Sequence, residues 1–282
     1  MKIERITSRL GARITGIDAA KPLDSATIAA IKDALNQHGV IFFPGQEILS
    51  GEEQLEFARQ FGEIETPPKL TKESTQRDVL ILEWTQPVGA GTDVWHTDGS
   101  YLERPPMGSI LQAHILPEIG GDTCFASMSA AYEALSPPMQ RMLDGLTATH
   151  STLRVLETTR RNGNTSYDSE QDLVAGRSHP VVTVDPRSGR RRLYVNPNYT
   201  DSIDGLTKAE SDGLLAFLYE HIKSPEFQMR YRWSVGDIGF WDNLAVQHYA
   251  VADYTTRRRM QRVTLLGSPP VGVGEAMVSE AA

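Results

Sequence analysis

Apolar positions along the chain recur with two periods, and the switches between them mark out the elements. In residues 1–23 short apolar runs are broken by Gly11, Gly16 and Pro22, which predicts small strands. From Asp24 the spacing turns helical: Ile28, Ile31 and Leu35 share a face, Asp24 or Ser25 is placed to cap the start, and Gly39 stands where a C-terminal cap belongs. Val40-Ile41-Phe42-Phe43, stopped by Pro44-Gly45, predicts a buried strand. A second helix is expected from Ser50, with Glu53 completing a capping box, to about Gly62. Helix, strand and helix together are expected to form an outer layer against a sheet.

Further along, Thr66 to Arg77 is polar and broken by proline, hence a loop, and Val79 to Leu82 is a strand followed by a turn at Gly89-Ala90-Gly91. A strand is expected from Gly108 to Ile115, and a short helix started by Ser127 or Ser129 runs to Leu135. Pro137-Pro138 opens another helix to about Leu143. Residues 156–178 show neither period and form the candidate mobile lid. His179 to Val184 and Arg192 to Val195 flank Asp185-Pro186-Arg187-Ser188-Gly189 as a hairpin. Thr207 and Glu210 make a second capping box, opening a helix with Leu214, Leu215, Leu218 and Ile222 inward. Phe227 to Trp233 alternates as a strand does, and Ile238 to Trp241 is expected to return after the turn at Val235-Gly236-Asp237. Beyond Ser268 the tail, residues 268–282, is expected to fray. Many short strands with a few helices point to a mainly β fold, a sandwich or barrel with helical additions.

Charge and composition narrow the classes of function. With 28 basic and 36 acidic residues the net charge is −8, which argues against a nucleic-acid binder with a broad basic face. The single cysteine, Cys124, excludes an intrachain disulfide and fits a reducing compartment. Met1-Lys2-Ile3-Glu4-Arg5 lacks the apolar run of a signal peptide, and no stretch reaches the ~18 apolar residues of a membrane span. A soluble, cytoplasmic protein is expected.

The candidate chemistry lies in His96-Thr97-Asp98, where an imidazole and a carboxylate two residues apart share one face of an extended chain. The best candidate for a third ligand is His248, in the run Trp241-Asp242-Asn243-Leu244-Ala245-Val246-Gln247-His248. Two histidines and one carboxylate on one side of a metal, with other positions open, make the facial triad of non-haem Fe(II) oxygenases. Gly120-Gly121-Asp122-Thr123 offers a hydroxyl, and Arg258 and Arg262 are spaced to share one face of a strand. In this order these motifs resemble the taurine dioxygenase (TauD/TfdA-like) family of Fe(II)/2-oxoglutarate-dependent dioxygenases, which also includes aryloxyalkanoate dioxygenases. The resemblance runs from about Ile6 to about Gly267.

The resemblance implies a double-stranded β-helix, or jelly roll, in a single domain of residues 1–267. It implies Fe(II) held by His96, Asp98 and His248, with 2-oxoglutarate and O2 as cosubstrates and succinate and CO2 as coproducts. Asp98, absent from related halogenases, points to oxygenation. For the arginine that takes the far carboxylate of 2-oxoglutarate, family spacing from His248 gives Arg259, eleven positions on. The Arg-x3-Arg spacing and the following Val263-Thr264-Leu265-Leu266-Gly267 give Arg258, with one residue missing from the Tyr254-Thr255-Thr256 loop. Arg258 is preferred because a loop absorbs a deletion more easily than a paired strand. Thr123 carries over as the hydroxyl partner of that carboxylate, and Arg262 as the anchor for an anionic group on the prime substrate. Glu65-Thr66-Pro67-Pro68-Lys69-Leu70 lacks the histidine and tyrosine of the taurine pocket, which argues against taurine itself; the anion anchor allows a sulfonate, an alkyl sulfate, an aryloxyalkanoate or an amino-acid-like carboxylate. Asn196 either faces substrate or serves the turn that Asn-Pro initiates. Relatives are often dimers or tetramers, which allows a homo-oligomer. Two other classes compete: a jelly-roll protein that holds a metal without turnover, and a zinc hydrolase, which needs neither Arg258 nor Thr123.

Overall fold

The computed structural model describes residues 1–66, 77–85, 93–161 and 174–274. Strands β1 (Lys2–Arg5) and β2 (Ala12–Thr15) pair antiparallel ahead of helix α1 (Ser25–His38). The Asp24 side chain accepts from the Thr27 N–H, and Gly39 ends the helix at φ +72°. A Cβ at Gly39 would stand 3.0 Å from the Val246 side chain, so dihedral and packing both call for glycine. β3 (Val40–Phe43) and α2 (Gly51–Arg59) follow, the latter with the expected Ser50–Glu53 capping box.

Next come β4 (Ile64–Glu65), β5 (Leu80–Trp84), β6 (Gly108–Ile115), β7 (Thr123–Ser127), α3 (Met128–Glu133) capped by Ser127, and α4 (Pro137–Leu143). They are followed by β8 (Thr147–His150), α5 (Leu153–Arg161), β9 (Arg177–Pro180), β10 (Val182–Val184) and β11 (Arg191–Leu193). The chain then forms β12 (Thr200–Ile203), α6 (Lys208–Ile222), β13 (Gln228–Tyr231), β14 (Ile238–Asp242), β15 (Val246–Ala250) and β16 (Arg258–Leu265). The molecule is mixed α/β, with more strand than helix.

The largest sheet runs β1-β2-β3-β14-β6-β16-β4, with β5 also on β16, and a smaller sheet runs β13-β7-β15. Period-two alternation sends the large sheet's side chains to two different cores. Ile41, Phe43, Ile110, Phe240, Val263 and Leu265 pack with Ile31, Leu35, Leu55 and Phe57 of α1 and α2. Phe42, Leu111, Trp241 and Met260 point the other way, onto Phe125, Met229, Tyr231 and Val246 of the smaller sheet. Phe42 stacks on Tyr231 at 3.6 Å and meets Phe125 edge-on at 5.8 Å. A third core lies behind the smaller sheet, where α3 and α6 cover β8, β10 and β11.

Four expectations change. β3 is a member of the large sheet, paired with β2 and β14, so only the two helices form the outer layer. β14 does not return beside β13: it pairs with β3 and β6, while β13 pairs with β7 in the facing sheet. The candidate lid is ordered at its described ends, into α5 and β9; residues 162–173 lie outside the described residues, as do 67–76 of the expected loop and the Gly89-Ala90-Gly91 turn. The tail is fastened at its start, where the Val184 N–H donates to the Val271 carbonyl and Val273 is buried. Residues 275–282 lie outside the described residues. Among the described residues no helix is long and apolar enough to cross a membrane.

Candidate active site

His96 sits in an irregular segment, yet its backbone is paired with β15. Its N–H donates to the His248 carbonyl (3.1 Å) and the His248 N–H donates back (2.9 Å). Directly opposed residues of an antiparallel pair share a face, and the two imidazole centroids stand 4.4 Å apart. Asp98 is fastened by Asn243, whose Oδ1 accepts the Asp98 N–H (3.0 Å) and whose Nδ2 donates to the Asp98 carbonyl (2.8 Å). Asn243 is itself fully buried, and Asp242 Oδ1 shapes its turn by accepting from the N–H groups of Leu244 and Ala245.

This backbone arrangement brings the His96, Asp98 and His248 ligand atoms within 4.8 Å of one another. Each imidazole Nε2 lies 3.7 Å from an Asp98 oxygen. That is too long for a hydrogen bond and shorter than the ~4.2 Å that two ~2.1 Å ligand bonds can span. His96 Nδ1 lies 2.7 Å from the Val94 carbonyl, so the proton resides there and the Nε2 lone pair faces the cluster. Burial, and then His96, push the His248 pKa down to about 3, which keeps that imidazole neutral and able to ligate. Burial would raise the Asp98 pKa, but the fixed positive charge of Arg262 leads the effects that reverse it and hold the carboxyl well below the usual range. Two neutral nitrogens and one carboxylate oxygen therefore fit a divalent metal ion.

Strand β16 supplies the cations. Arg258, Met260 and Arg262 lie on its inner face, where Met260 joins the core between the sheets. Arg262 Nη1 is 3.3 Å from both Asp98 oxygens. Arg258 is 3 % exposed, donates from Nε to the Gly121 carbonyl (2.9 Å) and, among the described residues, makes no ion pair. Gly121, at φ +73°, is needed here: a Cβ would stand 3.0 Å from Arg258 Cδ. Thr123 is buried nearby in sequence; its Oγ1 accepts from Trp233 Nε1 (2.9 Å), leaving its own proton to donate. Arg259 has the opposite parity and pairs with Glu83 at 2.6 Å.

Asn196, expected to face substrate or serve a turn, makes hydrogen bonds within the turn. Its Oδ1 accepts from the N–H groups of Asn198 and Tyr199, and its Nδ2 donates to Ser100 Oγ (3.0 Å). Two residues near the metal ligands went unassigned in the sequence. Asn243 stood in the quoted Trp-Asp-Asn run, and its buried amide was the available signal. Glu65 had no local signal. Its place comes from β4 pairing with β16, and its pKa is pushed up to about 7, by burial first and with Asp98 adding, against Arg262.

A buried His-Asp-His face backed by inward arginines defines a facial-triad metalloenzyme. The family model described as taurine catabolism dioxygenase TauD, TfdA family matches residues 2–264, and the chain belongs to this family of α-ketoglutarate-dependent dioxygenases. A sulfate ester dioxygenase of Pseudomonas putida, itself α-ketoglutarate-dependent, is 38 % identical over 97 % of this chain and 92 % of its own. A taurine dioxygenase structure from Burkholderia xenovorans superposes with TM-score 0.83 at 33 % identity, covering 97 % of this chain and 93 % of the other. The structure of AAD-2 in complex with Mn(II) and N-oxalylglycine gives 0.82 at 26 % identity, with coverage of 96 % and 98 %.

Proposed function

We propose that the protein uses Fe(II), 2-oxoglutarate and O2 to hydroxylate a C–H bond of a small organic anion: a sulfonate, alkyl sulfate, aryloxyalkanoate or amino-acid-like carboxylate. The observation that carries this reading is Arg258, a buried guanidinium without an ion-pair partner among the described residues, on the same strand face as Arg262 beside the triad. A buried cation of that kind calls for an anion, and arginine's planar fork suits a carboxylate.

His96, Asp98 and His248 hold the metal, with Asp98 supplying the one negative charge and both imidazoles neutral. When bound, Fe(II) with 2-oxoglutarate and O2 supplies the oxidation, and succinate and CO2 are the coproducts. Arg258 binds the far carboxylate of the oxo acid, and the Thr123 hydroxyl donates to it. Arg262 orients the substrate's anionic group, and the sulfate ester and taurine enzymes to which this chain is similar support an acidic sulfur oxide or carboxylate there. Where the hydroxylated carbon bears a sulfonate, ether or ester oxygen, the product collapses and that bond breaks. We read the two packed sheets as the walls of a jelly roll within one domain of residues 1–267.

The test is anaerobic reconstitution with Fe(II) and 2-oxoglutarate, admission of O2, and measurement of succinate with and without a panel of these substrate classes. Succinate should rise with one class and vanish in His96→Ala and Arg258→Ala. No succinate from iron-loaded wild type would overturn the reading.

A further inference from the structure

The acidic residue facing the anion anchor has no role in the reading above. In the β4–β16 pairing Glu65 is opposite Thr264 and Ile64 is opposite Leu265. Ile64 and Leu265 pack toward α2, in the outer core. Glu65 and Thr264 therefore face the other way, with Arg262, since residues paired across antiparallel strands share a face and successive residues alternate. A diagonal neighbour across such a pair lies ~7 Å away, within reach of two long side chains. Among the described residues, Arg262 and Asp98 are the charged groups that act on the Glu65 carboxyl. One of its oxygens, Oε2, is buried and has no hydrogen-bond partner among the described residues.

We propose that Glu65 is a specificity-determining residue: it accepts a hydrogen bond from an ammonium group on the substrate while Arg262 holds the substrate's anionic group. The proposal rests on the assignment of Arg262 as the anion anchor, and it narrows the substrate to a zwitterion, an amino carboxylate or amino sulfonate.

Charge balance leads to the same choice. A divalent metal, Asp98, dianionic 2-oxoglutarate and Arg258 together sum to zero, and Arg262 with ionised Glu65 adds nothing. A bare anion would be balanced only if Glu65 took up a proton and gave up its charge, whereas a zwitterion is balanced with Glu65 ionised and accepting. It would also give the buried Glu65 oxygen the donor that no described residue supplies.

The experiment uses the full chain loaded with Mn(II) and N-oxalylglycine, an inert mimic of metal and cosubstrate. Calorimetric titration compares propanoate with alanine and 3-aminopropanoate, and ethanesulfonate with 2-aminoethanesulfonate, in wild type, Glu65→Gln and Arg262→Ala. Wild type should bind an amino compound ~10-fold or more tighter than its plain partner, the scale of one charged hydrogen bond. Glu65→Gln should shrink that preference to within ~2-fold by weakening the amino compound and tightening the plain one. In turnover the change should fall on KM and leave kcat nearly untouched.

Equal binding of both partners in wild type, lost in Arg262→Ala, would overturn the role of Glu65 and keep that of Arg262. Binding insensitive to Arg262→Ala, or no binding at all, would overturn both. A thermal midpoint for Glu65→Gln at or above that of wild type shows that the variant is folded.

Discussion

Asn243 grips Asp98 at both ends of its backbone, accepting from its N–H and donating to its carbonyl, so one buried amide sets where the carboxylate ligand points. The same Nδ2 also reaches the Pro106 carbonyl (3.1 Å), closing the loop that leads into β6. Groups that orient a metal ligand typically affect affinity by ~10- to 100-fold. Asn243→Ala should therefore weaken Co(II) binding by about that factor, as read by titration of the visible d–d bands. Undiminished affinity with a lowered thermal midpoint would mean that Asn243 supports only the fold.

Arg258 and Arg259 differ by one position, and strand parity gives them opposite surroundings. Arg258→Met should raise the KM for 2-oxoglutarate by more than ~10-fold, because a charge-assisted contact is lost. Arg259→Met should change it by less than ~2-fold, since Arg259 is engaged with Glu83 at a partly exposed position. The stability effects should run the other way. Arg258 is a buried charge with no carboxylate partner in the described structure, so Arg258→Met should leave the thermal midpoint of the cofactor-free protein unchanged or raise it. A large fall would show that the guanidinium is a structural element.

The same parity argument explains what was legible in the sequence. Caps at Asp24, Ser50 and Thr207 are local chemistry, and all three start helices as expected. The His-x-Asp spacing and the Arg-x3-Arg face are local too, and they survive into the site. Partner choice is not local. The run at β3 says that two faces are buried and not by what, so it did not reveal that β3 lies within the large sheet. Glu65 comes to share a face with Arg262 only because β4 pairs with β16, far along the chain, and no period records that. Asn196 was ambiguous for another reason: an Asn before Pro favours a turn, and its bonds to Asn198, Tyr199 and Ser100 are visible only in the folded chain.

Metal should stabilise the fold through the triad alone. A ligand at ~100 times its Kd contributes about 2.7 kcal/mol, and in a chain of this size each kcal/mol is worth ~2–4 °C. Saturating Mn(II) should thus raise the thermal midpoint by ~5–10 °C and EDTA should reverse it. His96→Ala and His248→Ala should show little of that rise. An equal rise in those variants would place the ion elsewhere.

His150 on β8 should make the protein acid-sensitive well above the carboxylate range. It is fully buried, its Nδ1 is 3.1 Å from Ser100 Oγ, and its Nε2 has no partner among the described residues. Burial first, and then His179, push its pKa down to about 3, against a smaller opposite pull from Asp204. Above about pH 6.5 the ring is neutral both folded and unfolded, and folding neither gains nor loses by it. As pH falls below that value the unfolded chain binds a proton that the native state refuses, so stability drops progressively until about pH 3. At pH 5 the loss from this group is about 2 kcal/mol. Urea midpoints at pH 8, 6.5 and 5 should fall along that course in wild type. His150→Asn, which keeps a polar group near Ser100, should start lower at pH 8 because ring packing is lost, and should fall less between pH 6.5 and 5. Parallel curves would assign the acid sensitivity to other groups. Because Ser100 lies two residues beyond Asp98 and also receives Asn196 Nδ2, protonating His150 loosens a segment tied to the metal ligand. Metal release on acidification should therefore begin at a higher pH in wild type than in the variant.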